Sequence, residues 1–270
     1  NTRHNSFKID STLFSLIPFM SNTDQSLINV LKTKVDALQS QISSTSVAAG
    51  RAADGVALLA VTKTHAITAV AAAYAAGMRH FGENYVPEGS DKVVALQQLV
   101  GENSAKWHFI GPLQSNKTRL VAEHFDWVHS IERLKIAQRL SYQRPPDAAD
   151  LNICLQVNID DEPSKSGCPA STALELALAV AALPRLRLRG LMVIPAPIAA
   201  NADASIQRAP FKALAELHAQ IKNQLPSHAQ AEFDTLSMGM SDDFPQAIAE
   251  GATIVRIGSA IFGPRPSPSH

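Results

Sequence analysis

Cysteine is scarce: the 270 residues include only two, Cys154 inside an apolar run and Cys168 after Ser166-Gly167. A disulfide-framed secreted domain is thereby excluded, and with no CxxC or HxxxH spacing the sequence offers no recognisable metal cluster. Reduced thiols in a cytoplasmic protein are the expectation. An excess of charge is also missing, since 24 basic residues balance 24 acidic ones and the formal net charge is zero. Such a balance leaves no footprint for nucleic acid and no funnel for a strongly charged substrate. Long apolar runs are absent too. Residues 174–183 come nearest, but Pro184 and Arg185 stop the run far short of the roughly 20 residues a membrane helix needs.

The 46% of hydrophobic residues suffices for a sizeable core, and 18% charged residues is ordinary for a globular chain. Residues 1–19 lack a basic stretch feeding an apolar segment and a small-residue cleavage site, so they do not read as a secretory signal. Met20-Ser21-Asn22 reads as a true start, which makes residues 1–19 an expected disordered extension. A transit segment is the rival, because Arg3 and Lys8 outnumber Asp10. The Pro/Ser-rich residues 264–270 are expected to be a disordered tail.

In residues 25–42, Leu27, Ile28, Leu31, Val35, Leu38 and Ile42 recur at three- and four-residue steps, which predicts an amphipathic helix. After a Ser/Gly-containing break, residues 56–61 are apolar throughout, as in a parallel strand buried on both faces. Seven more strands are predicted at 78–81, 107–110, 127–129, 151–157, 186–194, 233–236 and 253–257. Helical patterns separate most of them, at 67–76, 93–100, 117–124, 133–142, 171–183, 210–225 and 242–250. Eight strands alternating with helices give a single (β/α)8 TIM-type barrel over residues 20–263 with an extra N-terminal helix. The Pro/Ala stretch 195–209 reads as its longest loop.

Loops after barrel strands converge on one mouth, so polar residues at strand ends are the candidates for function. Lys63 directly follows an apolar strand, where partial desolvation favours the nucleophilic neutral amine. Barrels commonly hold phosphate with the loops after the last two strands. Ser237, Met238 and Gly239 after the seventh strand and Gly258 and Ser259 after the eighth fit that place, although ordinary Gly-Ser turns would look the same. Arg256 lies between apolar neighbours, so its guanidinium must face the mouth or find a buried partner. His108 beside Trp107 reads as a hydrogen-bonded core or rim histidine, and Arg185, Arg187 and Arg189 alternate with leucines as on a strand face.

Five runs, occurring in order, narrow the reading further. They are Leu58-Leu59-Ala60-Val61-Thr62-Lys63-Thr64, Phe81-Gly82-Glu83-Asn84-Tyr85, Trp107-His108-Phe109-Ile110-Gly111-Pro112-Leu113-Gln114-Ser115-Asn116-Lys117, Leu236-Ser237-Met238-Gly239-Met240-Ser241-Asp242-Asp243 and Arg256-Ile257-Gly258-Ser259. Together they resemble the signature runs of the pyridoxal phosphate (PLP) homeostasis proteins, and the resemblance spans about residues 26–263. It implies a barrel similar to the N-terminal domain of alanine racemase, with PLP held as a Schiff base on Lys63. By the same resemblance Ser237, Gly258 and Ser259 would bind phosphate, Arg256 would face the pyridine nitrogen and Asn84 would line the ring pocket. Met238 and Gly239 would add backbone donors.

The implied role is a cytoplasmic PLP carrier or buffer in vitamin B6 and amino-acid homeostasis, without established catalysis, passing cofactor to PLP-dependent apoenzymes. A PLP-dependent amino-acid racemase is the main alternative, and a cofactor-free Schiff-base aldolase or sugar-phosphate isomerase is a third. Racemases similar to this barrel carry a following β-domain that helps form their site, whereas seven residues follow Gly263 here; a monomer is therefore expected.

Overall fold

A computed structural model describes residues 22–160, 162, 165–199 and 201–264. The expected extension at 1–19 and most of the tail lie outside the described residues. Helix α1 (Asn22–Ala48) buries Leu31, Val35, Leu38 and Ile42, which share the stripe that their spacing predicts. It runs six residues further than expected, because the Ser/Thr-rich turn at 43–48 continues the helix instead of breaking it. This helix packs across α2 (Ile67–Ala75), α9 (Phe244–Ala249) and α10 (Ser259–Phe262).

The eight predicted strands all form: β1 (Ala57–Val61), β2 (His80–Glu83), β3 (Lys106–Phe109), β4 (Trp127–Ile131), β5 (Leu151–Asn158), β7 (Leu186–Met192), β8 (Thr235–Ser237) and β9 (Ile254–Ile257). Every pairing is parallel, in the order β4-β3-β2-β1-β9-β8-β7-β5, and β4 pairs with β5 to close the ring. The two-residue β6 (Cys168–Pro169) adds to the end of β5. Between strands and helices lies one large apolar core. A small separate cluster of Leu59, Ile110 and Ile254, with Ala57 and Val61 against it, fills part of the barrel interior.

Three further helices differ from expectation. Helix α3 (Val86–Val100) begins seven residues early, with Pro87 in its first turn, where a missing N–H costs nothing. Helix α7 (Ala204–Gln224) takes over part of the predicted 195–209 loop and carries Pro210 in its interior. Burial of Pro210, Phe211, Leu214 and Ile221 outweighs the proline's local penalty there. Helix α8 (Ser227–Glu232) occupies a stretch too short for a periodic signal. Cys154 and Cys168 are free and buried, and burial pushes both thiols up, Cys168 to about 11.

Candidate functional site

Where the strands end, a cavity of about 320 Å³ opens, within the range of small-molecule sites. Lys63, Asn84, Arg256, Gly258 and Ser259 from the sequence reading all line it, although they come from the ends of three different strands. His65, Ser241 and Asp242 join them and were not anticipated as site residues. Ser241 and Asp242 sit inside the Ser237–Asp243 run, so the motif held them; which of its two serines reaches the cavity depends on the turn at Gly239.

Lys63 leaves β1 through a tightly held backbone. Thr64, next in the chain, adopts φ 66°, a left-handed conformation costly for a β-branched residue. Its N–H is donated to Glu88 Oε1 at 2.6 Å. Before Lys63, buried Thr62 donates its hydroxyl to Glu83 Oε1 at 2.6 Å, and Lys92 Nζ donates to the Thr62 carbonyl at 2.7 Å. Lys92 also pairs with Glu83 at 2.9 Å and Glu88 at 2.6 Å. Burial raises the Glu83 carboxyl above its ordinary value, while the hydrogen bonds from Thr62 and Lys92 pull it back. Both neighbours of Lys63 are thus clamped by charged groups from β2 and α3, and its side chain stands half-buried at the mouth.

Arg256 is 3% exposed and reaches the cavity from β9. One guanidinium nitrogen donates to Ser237 Oγ and the other to the Val193 carbonyl, each at 2.8 Å. Its backbone N–H donates to the Gly239 carbonyl at 2.9 Å. Among the described residues no carboxylate lies in ion-pair range of Arg256. Burial lowers this guanidinium to about 10, so it remains protonated at neutral pH. A buried cation held only by neutral acceptors is suited to an electron-rich ligand atom.

Ser237, Met238 and Gly239 stand one layer behind the cavity wall. The Ser237 hydroxyl is taken up by Arg256 and by His129 Nδ1 at 2.8 Å, and the Met238 N–H is donated to the Ile254 carbonyl at 3.1 Å. Gly239 has φ 94° and packs so closely on Ala247 and Phe244 that a side chain would not fit. The hydroxyls that do face the cavity are those of Ser241 and Ser259, 3.2 Å apart, beside Gly258 at the start of α10. Asn84 Oδ1 is buried without a partner, the kind of orphan a ligand would satisfy.

Other sequence candidates have structural places. His108 is buried and hydrogen-bonded to two further histidines, as a core histidine should be. Arg187 and Arg189 form ion pairs with Glu232 and Asp234. Tyr85, the tyrosine near a strand end that a racemase reading would need as acid or base, is 53% exposed and does not line the cavity.

Known proteins resemble this chain along most of its length. The family of the alanine racemase N-terminal domain matches residues 34–266. A pyridoxal phosphate homeostasis protein of Escherichia coli strain K12 is 52% identical over 228 residues, covering 84% of this chain and 94% of that protein. One from Pseudomonas aeruginosa is 55% identical over 218 residues, covering 81% and 88%. Among solved structures, PipY of Synechococcus elongatus with PLP bound superposes with a TM-score of 0.72 at 35% identity, over 86% of this chain and all of that one.

Proposed function

The chain belongs to the pyridoxal phosphate homeostasis proteins, and from that membership we propose that it binds PLP covalently through Lys63 and serves as a carrier or buffer of the cofactor. One observation supports this above others: Lys63, Arg256 and the Ser241–Ser259 hydroxyl pair face a single cavity from different strand ends.

Bound PLP supplies an aldehyde that condenses reversibly with amines. The side chains fit such a group. Lys63 brings the amine, and the clamps on Thr62 and Thr64 fix where it is presented. Ser259 and Gly258 serve the phosphate, and we assign the second hydroxyl to Ser241 instead of Ser237, because Ser237 is already spent on Arg256 and His129. Met238 is set aside as a backbone donor, since its N–H is engaged by β9. Gly239 contributes the turn and holds the backbone of Arg256. Asn84 offers its unpartnered Oδ1 at the ring edge.

Arg256 decides the character of the site. A guanidinium offers an N–H to the ring nitrogen but does not give up its proton, so the ring stays a weak electron sink. Muted carbanion chemistry suits storage and transfer to apoenzymes better than turnover. A racemase would need a second acid or base across from Lys63, and the exposed Tyr85 does not supply it. On this reading the chain works in the cytoplasm as a monomer.

The test is a visible absorption spectrum of the purified protein with PLP, then borohydride reduction and peptide mapping, on wild type and Lys63→Ala. A visible band that reduces onto Lys63 and vanishes in the variant is expected. No band, or a label on another lysine, would refute covalent binding at Lys63. An amino-acid racemisation assay on the loaded protein separates carrier from enzyme, with no turnover expected.

A further inference from the structure

Behind Arg256 a file of polar side chains crosses the barrel interior. His80 Nδ1 lies 3.0 Å from His108 Nε2, His108 Nδ1 lies 2.9 Å from His129 Nε2, and His129 Nδ1 lies 2.8 Å from Ser237 Oγ, which accepts from Arg256 at 2.8 Å. The residues come from β2, β3, β4, β8 and β9. Strands β4 and β8 are not neighbours in the sheet, so the His129–Ser237 bond spans the interior. At the far end His80, first residue of β2, borders a cavity of about 500 Å³ lined by Gln39 and Ile42 of α1. The file therefore joins the floor of the barrel to its mouth.

We propose that His80, His108 and His129 are positioning residues for Arg256: a hydrogen-bond relay running in one direction, each ring carrying its proton on Nε2, which keeps the lone pairs of Ser237 on the guanidinium. The relay itself is independent of the cofactor assignment, whereas its effect on the ring-nitrogen end of the cavity rests on that assignment.

The direction follows from donor counting. A neutral imidazole has one N–H and one acceptor nitrogen, so each ring-to-ring contact needs opposite roles on its two sides, and the choice at one end fixes the rest. Arg256 has no lone pair to offer and can only donate to Ser237. The serine hydrogen then needs an acceptor, and among the described residues His129 Nδ1 is the partner that remains. It follows that His129 donates from Nε2 to His108 Nδ1, and His108 from Nε2 to His80 Nδ1. His80 is left with its Nε2–H as the outer end. The reverse order would leave the Ser237 hydrogen without an acceptor beside a buried cation.

All three rings are suited to the neutral state. Burial holds His108 well below its ordinary range, with the neighbouring His129, His80 and Lys106 adding to the shift. His129 is lowered to about 3 by burial and then by the charge of Arg256 and by His80. His80 is lowered by burial, with Asp126 opposing and Lys106 adding to the shift. Trp127 stacks on His108, shielding the middle of the file.

The experiment is two-bond ¹H–¹⁵N spectroscopy of the full chain labelled at its histidine imidazoles, at neutral pH without PLP, with Ser237→Ala and Ser237→Thr alongside. Wild type and the threonine variant should show Nε2-protonated rings at His80, His108 and His129. In Ser237→Ala the fixed direction is lost, and the ¹⁵N shifts of His129 and His108 move toward the tautomer average. An Nδ1-protonated or doubly protonated ring in wild type overturns the relay. So do unchanged His108 and His129 signals in Ser237→Ala. Because PLP is absent throughout, failure of covalent binding at Lys63 is a separate result in the spectrum of the loaded protein.

Discussion

At the scale of single residues, the site depends on a buried ion pair that does not itself line the cavity. Lys92 and Glu83 are almost fully enclosed, and Lys92 also holds the Thr62 carbonyl immediately before Lys63. Replacing Lys92 by methionine leaves the Glu83 carboxylate buried without its counter-charge, a loss of about 3–5 kcal/mol. Urea denaturation of Lys92→Met should show a loss of that order, and the double variant Lys92→Met/Glu83→Gln should recover at least half of it. Equal instability in single and double variants would mean that packing of the lysine stem, not its charge, was the main contribution. Thr64→Gly tests aim instead of stability. Glycine relieves the left-handed strain at φ 66° but gains freedom in the unfolded chain, so the net change in stability should stay within about 1 kcal/mol. PLP affinity should nevertheless fall, because Lys63 then leaves β1 on a looser turn; unchanged affinity by titration of the visible band would show that the clamp is incidental.

At the scale of elements, close backbone approach separates glycines that can be replaced from those that cannot. A Cβ on Gly190 would overlap the Thr235 carbonyl across the β7–β8 pairing, whereas one on Gly50, at φ 71°, meets nothing. Gly190→Ala should therefore cost more than about 4 kcal/mol, and Gly50→Ala only the left-handed penalty of about 1 kcal/mol. Thermal melts of the two variants make the comparison, and similar melting points would show that β8 can shift to make room. The strands were legible because a parallel barrel strand is covered on both faces. That makes runs such as Leu58-Leu59-Ala60-Val61 continuously apolar, unlike the half-polar helices. The start of α3 and the Pro210 region of α7 were not, since Gly89 inside the first and Pro210 inside the second read as local stop signals that tertiary burial overrides.

At the scale of the whole molecule, the mouth was readable and the interior was not. Lys63, Arg256, Gly258 and Ser259 stand at strand ends, where barrel geometry alone directs attention, and Asn84 followed from the family resemblance, but His80, His108 and His129 are 28 and 21 residues apart and meet because β2, β3 and β4 pair side by side. Their burial has a global consequence for acid stability. His108 and His129 are both fully enclosed, with His129 lowered from 6.5 to about 3. In the unfolded chain both rings bind a proton near pH 6.5. Below that value the unfolded state holds protons that the folded state refuses, so stability is complete above about pH 6.5 and is lost as pH falls toward the folded values. A fully shifted histidine contributes about 1.4 kcal/mol per pH unit, as His129 does in this window, and His108 acts in the same direction. Glu83 runs the other way, because its raised carboxyl lets the folded state take a proton first and softens the upper part of the fall. Urea denaturation between pH 6 and 4 should show the decline, to which His218, lowered to about 4 by burial, also adds, and His129→Gln should make the slope shallower even if it lowers stability at pH 7. A flat profile in wild type would mean that the interior houses a protonated histidine. A charged ring cannot accept from its neighbour, so that outcome would also break the one-way file behind Arg256.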